Sequence, residues 1–264
     1  MARVRVLSDL HFEFHRDRGA SFVESLGPPE CDLLVVAGDL CDFPLIGRSL
    51  DMLCGAFSRI PVAYVMGNHE PYGGSAEAAE AAVRAAAARN GNLLWLDGGT
   101  ASAAGLRLAG ATLWFRHSGE VEPLDRQMND FSQIRGLRQF VPEKSRRDER
   151  LLRSAVESAA PDVVVTHYLP HPASVAPRWR GSSINRYFLQ PGLQDLVESG
   201  TVPLWIHGHT HDSVDERSGV TVGGVGFVSR ILCNPFGYAG HEENPSFDPS
   251  LFVDVEPRAE PPIG

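Results

Sequence analysis

The sequence predicts a layered α/β sandwich. Short runs of aliphatic and β-branched residues alternate along the chain with longer segments of helical periodicity. Continuous runs of this kind are typical of strands buried on both faces of a sheet. Glycine-containing turns separate further strand-like runs later in the chain, which indicates hairpins. Strand–helix repeats followed by hairpins predict layers of helix and sheet around a common core.

Each element has its own signal. The apolar runs predict five core strands, at residues 4–7, 32–37, 62–66, 162–166 and 202–206. Helices are predicted at 45–58, 75–90, 143–159 and 189–199. Ser75 can cap the helix at 75–90, and Asn90-Gly91 can end it. Further β-structure is predicted for 93–115, with turns at Gly98-Gly99 and Gly105, and for 213–233, with a hairpin turn at Arg217-Ser218-Gly219.

The chain is predicted to form one domain over residues 1–256. Its 264 residues could make one large domain or two small ones. No internal repeat, low-complexity linker or change of composition divides it, which favours one. The proline-rich segment 257–264 is predicted to be a loose tail.

Composition excludes several classes of protein. The net charge of −9 at pH 7 argues against a large nucleic-acid partner, which needs positive side chains to neutralise its phosphates. A small phosphate ester is still possible as a substrate, because bound metal ions can reverse the local field. The four cysteines form no C-x-x-C pair, which is typical of reduced thiols. With no membrane-length apolar run and no signal-peptide pattern, we expect a cytoplasmic protein without a membrane partner.

Polar side chains follow all five predicted core strands. In an α/β sheet, ligands bind at the carboxyl ends of the strands, so these side chains should converge. Carboxylate, amide and imidazole atoms are ligands for first-row metals. Any one position could be an ordinary turn residue or a hydrogen-bonded structural histidine, but all five in order predict a metal site. The residues are Asp9, His11, Asp39, Asn68, His69, His167, His209 and His211.

The ordered motifs D-x-H, GD-x-x-D, GNH-E, TH and GH-x-H resemble the calcineurin-like metallophosphoesterase superfamily over residues 9–211. Four longer strings resemble a bacterial phosphoesterase branch of it: SDLHFEF at 8–14, GATLW at 110–114, NDF at 129–131 and NPFGY at 234–238. The resemblance implies a four-layer α/β/β/α sandwich of the metallophosphoesterase type. It also implies two divalent metal ions between the inner sheets.

The resemblance assigns a role to each motif residue. His69 matches a histidine near the scissile phosphate, and Asp42 matches the acid that orients it. The implied reaction is hydrolysis of small phosphodiesters or phosphomonoesters by a hydroxide that bridges the metals. The mixed nitrogen and oxygen ligands permit Mn, Fe, Ni, Co or Zn. One ion would be held by Asp9, His11, Asp39 and His211, and the other by Asp39, Asn68, His167 and His209.

Three positions depart from the expected pattern. Tyr168 stands where the bacterial branch leads us to expect a second histidine after His167, and Phe115-Arg116-His117 is atypical after Leu113-Trp114. His207 offers a second H-x-H register with His209, but the G-H-x-H context favours His209 and His211. We therefore expect His207 to support a ligand or to be structural. The arginine-bearing segments 116–138 and 171–186 could wall the pocket, although solvated loops are the plainer interpretation.

Three rival functions are weighed against a phosphoesterase. A catalytically silent metal-binding scaffold would be expected to lose the GNH histidine, His69, or the aspartate shared by the two implied ligand sets, Asp39, and both are present. A nuclease fits poorly with the acidic charge. A protein phosphatase would carry an arginine after the GD-x-x-D acid, whereas Phe43 follows Asp42. The sequence leaves open the ester, the metal and the number of subunits.

Overall fold

The computed structural model describes residues 1–258. Its helices are α1 (Ala20–Ser25), α2 (Ile46–Ala56), α3 (Ala76–Arg89), α4 (Asp130–Gln133), α5 (Leu137–Ala159) and α6 (Gln194–Glu198). Its strands are β1 (Ala2–Leu7), β2 (Leu33–Ala37), β3 (Val62–Val65), β4 (Leu93–Trp95), β5 (Thr100–Ala103), β6 (Leu106–Ala111), β7 (Val163–Thr166), β8 (Leu204–His207), β9 (Val214–Val222), β10 (Val225–Cys233), β11 (Gly237–Tyr238), β12 (Glu242–Glu243) and β13 (Phe252–Val255). Short 3₁₀ helices occupy Phe12–Phe14, Phe43–Leu45, Asp125–Gln127, Pro172–Ser174, Pro177–Trp179, Ser183–Tyr187 and Pro191–Leu193.

Two sheets form the middle of the molecule. The first has the order β13-β1-β2-β3-β4, with β1 to β4 parallel and β13 antiparallel to β1. The second has the order β5-β6-β7-β8-β10-β9, with four parallel strands flanked by the antiparallel β5 and β9. Because the central strands of each sheet are parallel, their carboxyl ends lie at one edge of that sheet.

Alternating residues of the central strands face two different cores. The core between the sheets contains Leu33 and Val35 of β2 together with Val163 and Val165 of β7. The intervening residues face outward, where β2 packs against α2 and α3, and β7 packs against α5 and α6. The layers therefore run helix, sheet, sheet, helix, and the predicted four-layer α/β/β/α sandwich is confirmed.

The five predicted core strands are present as β1, β2, β3, β7 and β8, close to their predicted bounds. Two helices differ from prediction. α5 begins at Leu137 rather than at residue 143 and continues through Pro142, because Leu137 and Val141 extend its buried face. The helix predicted at 189–199 is shortened to α6, because a 3₁₀ helix begun by Pro191 replaces its first turns.

The hairpin turn predicted at Arg217-Ser218-Gly219 is wrong, because these residues lie within β9. β9 and β10 stay in register until Val222 faces Val225, so the chain reverses at Gly223-Gly224. Both glycines have positive φ, 58° and 83°. A tight two-residue hairpin turn of type I′ needs positive φ at both central positions, which glycine adopts without a steric penalty.

Two further observations concern the four cysteines and the C-terminal segment. All four cysteines are buried and free. Residues 259–264 of the predicted tail lie outside the described residues, while the backbone N–H of Arg258 donates to Asp162 Oδ1 at 2.8 Å. The single domain over 1–256 stays a prediction. Within residues 1–258, no helix combines the length and the apolar character needed to cross a bilayer.

We predict that Ser75→Ala destabilises the protein by about 1 kcal/mol, because the Ser75 side chain accepts from the Ala78 N–H and caps α3. Urea unfolding at constant m-value measures the loss. Ser182→Ala is the matched control, since Ser182 precedes a 3₁₀ helix without accepting a capping hydrogen bond. Equal losses in both variants would contradict the capping role.

Candidate metal centre

The carboxyl ends of strands from both sheets meet at one place, and the predicted ligands follow these strands. Hydrogen bonds tie the two sheets together there. His167 Nδ1 lies 2.9 Å from the carbonyl oxygen of Ala37 at the end of β2. The N–H of His209 donates to Asp9 Oδ1 at 2.9 Å, which is the second bond between the sheets. Within the second sheet, the N–H of Gly208 donates to the His167 carbonyl at 3.1 Å. Residues distant in sequence thus form one site.

The structure brings all seven predicted metal ligands together. Six of them, together with His69, form compact groups whose possible ligand atoms lie within 4.8 Å of one another. Asn68 joins them, because its Oδ1 lies 2.9 Å from His167 Nε2. The groups are Asp9, His11 and His211; His11, Asp39 and His69; and Asp39, His167 and His209.

Asp39 holds the position expected of a shared ligand. Its Oδ1 accepts from the N–H of His69 at 2.8 Å. Its Oδ2 lies 3.7 Å from His11 Nε2 and 3.4 Å from His167 Nε2. Since His11 and His167 belong to the two different predicted ligand sets, one carboxylate oxygen lies between the two sets.

The donor set fits two divalent cations. Asp9 Oδ2 and His209 Nε2 are buried without a hydrogen-bond partner among the described residues, and unpartnered buried polar atoms are costly unless something binds them. Burial lowers the pKa of His209 well below its ordinary value and that of His211 to about 4. Neutral imidazoles are the form that binds metal. At His167 burial would also lower the pKa, but Asp39 and Asp9 raise it to about 9, so a cation there would have to displace a proton.

Close backbone approach at the site requires glycine. A Cβ on Gly67 would lie 2.1 Å from Asp39 Oδ1 and 2.7 Å from His167 Cε1. A Cβ on Gly38 would lie 2.4 Å from His167 Nδ1, and its φ of +85° is strained for other residues. The glycines of the GD and GNH motifs therefore leave room for the ligands beside them.

Glu70 organises the loops that follow β2 and β3, and its role escaped the sequence reasoning. Its carboxylate accepts from the N–H groups of Leu40 at 2.8 Å and Gly67 at 2.6 Å, and from the Tyr64 hydroxyl at 2.7 Å. Burial, helped by the negative charge of Asp39, raises the pKa of Glu70 to about 7. In the sequence, Glu70 is visible only as the acid that ends the GNH-E motif, and the motif alone does not indicate what this acid contacts.

Asp130 fixes the orientation of Asn68. Asn68 Nδ2 donates to Asp130 Oδ1 at 2.8 Å, which turns Asn68 Oδ1 toward His167. The Tyr72 hydroxyl donates to the same carboxylate oxygen at 2.5 Å. In the sequence, Asp130 stands out only as part of the NDF string at 129–131, and no motif indicates its contact with Asn68.

His69 contacts Glu13 rather than Asp42. His69 Nδ1 lies 3.1 Å from Glu13 Oε1, and the same oxygen lies 3.1 Å from His11 Nδ1. Burial would raise the pKa of Glu13, but hydrogen bonds from the two histidines lower it to about 2. Burial alone would lower the pKa of His69, but Asp39 and Glu13 raise it to about 9. Among the described residues Asp42 makes no hydrogen bond to His69, and its Oδ1 is buried without a partner.

The three atypical positions are all buried, but in different surroundings. His207 is fully buried on β8, and its Nδ1 lies 2.9 Å from the carbonyl of Gly208. Tyr168 is buried against His209, with ring centroids 4.3 Å apart. His117 Nε2 instead pairs with Asp125 Oδ1 at 3.2 Å, in a polar cluster apart from the predicted ligands.

A cavity of about 300 Å³ opens beside the ligand groups. Asp39, Asn68, His69, His209 and His211 form its inner end. Its other wall comes from residues 127–130 and 169–188, which overlap both segments that the sequence suggested as pocket walls.

A four-layer sandwich with histidine, aspartate and asparagine ligands gathered at its strand ends defines the class of metal-dependent phosphoester hydrolases. The family model of calcineurin-like phosphoesterases matches residues 2–213, and the chain belongs to this family. Its members normally use a dinuclear metal site.

Two solved structures show the same fold, and a third is more distant. The protein TT1561 of Thermus thermophilus superposes with a TM-score of 0.56 at 14% identity, covering 89% of each chain. A second solved structure has a TM-score of 0.54 at 15% identity, covering 89% of this chain and 91% of its own. A putative 5'-nucleotidase from Staphylococcus aureus has a TM-score of 0.45 at 15% identity, with 88% of this chain matching 48% of that protein. The comparison with curated proteins gives no match.

We predict that Gly67→Ala lowers the free energy of unfolding by about 1–3 kcal/mol and weakens metal uptake, because the new methyl group would displace Asp39 and His167. Gly55→Ala is the matched control. Gly55 lies in α2 with open space around it, so alanine there should be neutral or stabilising by up to about 1 kcal/mol. Urea unfolding and metal analysis of dialysed protein measure both effects. Unimpaired metal uptake by Gly67→Ala would refute the crowding argument.

Proposed function

We propose that this protein is a dinuclear metal-dependent phosphoesterase that hydrolyses small phosphodiesters or phosphomonoesters. The observation that carries the proposal is the position of Asp39 Oδ2 between His11 and His167. Asp9, His11, Asp39 and His211 would hold one ion, and Asp39, Asn68, His167 and His209 the other. The ions, Mn, Fe, Ni, Co or Zn, would supply Lewis acidity and activate a water for attack on phosphorus.

His69 is the proposed general acid. Glu13 accepts at its Nδ1, which leaves Nε2 as the atom that can donate a proton to the leaving oxygen. The Tyr238 hydroxyl lies 3.3 Å from that Nε2, and the Tyr72 ring stacks on the imidazole with centroids 4.0 Å apart. These contacts hold the ring at the inner end of the cavity.

The two rival functions, a silent scaffold and a nuclease, are less well supported. A silent scaffold has no need of His69 in contact with an ionised Glu13 beside the ligand groups. A nuclease must bind a long polyanion, and the net charge of −9 opposes that. A small ester needs only the cavity and the proposed metal centre.

We predict that chelator-stripped protein is inactive and that one of Mn²⁺, Fe²⁺, Ni²⁺, Co²⁺ or Zn²⁺ restores hydrolysis of bis-p-nitrophenyl phosphate or p-nitrophenyl phosphate. Asp39→Ala should lose both metal and turnover. His69→Ala should retain metal and lose about 100-fold or more in kcat, the scale of general acid catalysis.

His241→Ala is the matched control, because His241 is exposed and belongs to none of the predicted ligand sets. Metal content per chain is measured alongside p-nitrophenolate release. Full turnover by His69→Ala on an ester with a poor leaving group would remove the proposed acid. Bound metal without turnover of either ester would favour the silent scaffold.

We predict that Glu13→Gln lowers kcat more than Asp42→Asn does, by about tenfold or more, because Glu13 contacts His69 directly and partners of this kind position catalytic and ligating histidines. Both substitutions remove one charge and keep the shape of the side chain. Steady-state kinetics of metal-loaded protein measures the two losses. A larger loss in Asp42→Asn would assign the orienting role to Asp42, as the family resemblance implies.

A further inference from the structure

The outer wall of the cavity is mainly apolar. It is built from two segments, residues 127–130 and 169–188, that line the cavity together with the predicted metal ligands. Its large apolar side chains are Met128, Leu169, Val175, Trp179, Ile184 and Phe188. Small-molecule sites characteristically combine an apolar lining with a few placed polar groups.

The apolar wall begins directly beside the metal centre. The ring of Phe188 lies 4.4 Å from the ring of His209, centroid to centroid. Trp179 lines the cavity with 46% of its surface exposed. Its backbone is fixed, since its carbonyl accepts from Asn185 Nδ2 at 2.8 Å and its N–H donates to Ala176 at 2.9 Å. The Arg178 guanidinium lies over the ring, 5.5 Å from its centroid, and the loop leaves the rest of the indole exposed to a ligand.

The cavity offers little positive charge apart from the proposed metals and His69. Among the described residues that line it there is one arginine, Arg178, and no lysine. The Nε and Nη2 atoms of Arg178 donate to Asp212 Oδ2 at 3.2 and 2.9 Å, so its charge is already paired. Asp130 and Glu242 add negative charge to the lining. A second phosphate or carboxylate on the ligand would lack an unpaired cationic partner.

We propose that this wall binds the organic group of the substrate, and that the substrate class is a phosphate ester carrying an uncharged aromatic ring close to the phosphate. This proposal rests on the proposed phosphoesterase function, which accounts for binding of the phosphoryl group of the substrate at the metal centre. The short distance from Phe188 to His209 requires a short link between ring and phosphorus. Asn129 and Asn185 line the same cavity and can bond to a polar edge of the ring. Nucleoside di- and triphosphates fit poorly because of their additional charges.

The test compares benzylphosphonate with methylphosphonate, two non-hydrolysable anions that differ in the ring, by calorimetry on metal-loaded protein. Benzylphosphonate should bind at least about tenfold more tightly, the scale on which an apolar pocket discriminates. Trp179→Ala should remove most of that preference and still fold, because the side chain is almost half exposed. Phe188→Ala is the second variant. Phe140→Ala is the matched control, a partly buried phenylalanine that packs on Trp114 outside the cavity.

Hydrolysis of benzyl phosphate and methyl phosphate, followed by release of inorganic phosphate, gives the parallel activity readout. Equal affinity for the two phosphonates, no binding of either, or a preference that survives in both variants would overturn the aromatic site. A ring preference in binding, lost in Trp179→Ala, supports it even without turnover. In that case, failure to hydrolyse any ester with any metal would overturn the proposed phosphoesterase function alone.

Discussion

A left-handed backbone is found at five of the seven predicted metal ligands: Asp9, His11, Asp39, His209 and His211. This conformation costs an L-residue roughly 1–2 kcal/mol, although aspartate and histidine tolerate it better than most. Each bends the chain just after its strand. Strain of this kind persists only where the surrounding structure holds it, and it concentrates at functional sites.

Buried carboxylates bonded to backbone N–H groups support the bends at Asp9, Asp39 and His209. Glu70 accepts from the loops after β2 and β3, Asp39 from the N–H of His69, and Asp9 from the N–H of His209. Hydrogen bonds to a carboxylate are stronger than neutral ones, and burial strengthens them further. The last of them crosses from one sheet to the other, so the site also depends on the apolar core that packs the sheets together.

The cavity divides recognition between two kinds of surface. At its inner end lie predicted metal ligands and His69. These side chains suit a phosphoryl group that is bound by cations. Its outer wall is apolar, and its arginine is already paired with Asp212. Affinity for charge would therefore come from the metals, and selectivity among esters from Trp179, Phe188 and their neighbours. This arrangement reconciles an acidic chain with an anionic substrate, because the positive charge need be present only at the centre.

The sequence by itself determined the layered fold, the five core strands and the family, because buried parallel strands leave apolar runs and the ligand motifs follow each run directly. The tertiary structure alone decided which acid contacts His69, how Asp130 turns Asn68, and where the β9–β10 hairpin reverses. The ligand motifs are local, so spacing reveals them. Glu13 meets His69 from 56 residues away, and Asp130 meets Asn68 from 62 residues away, so only the packed chain defines those contacts. The apolar wall likewise exists only once two separate segments pack beside the candidate metal ligands.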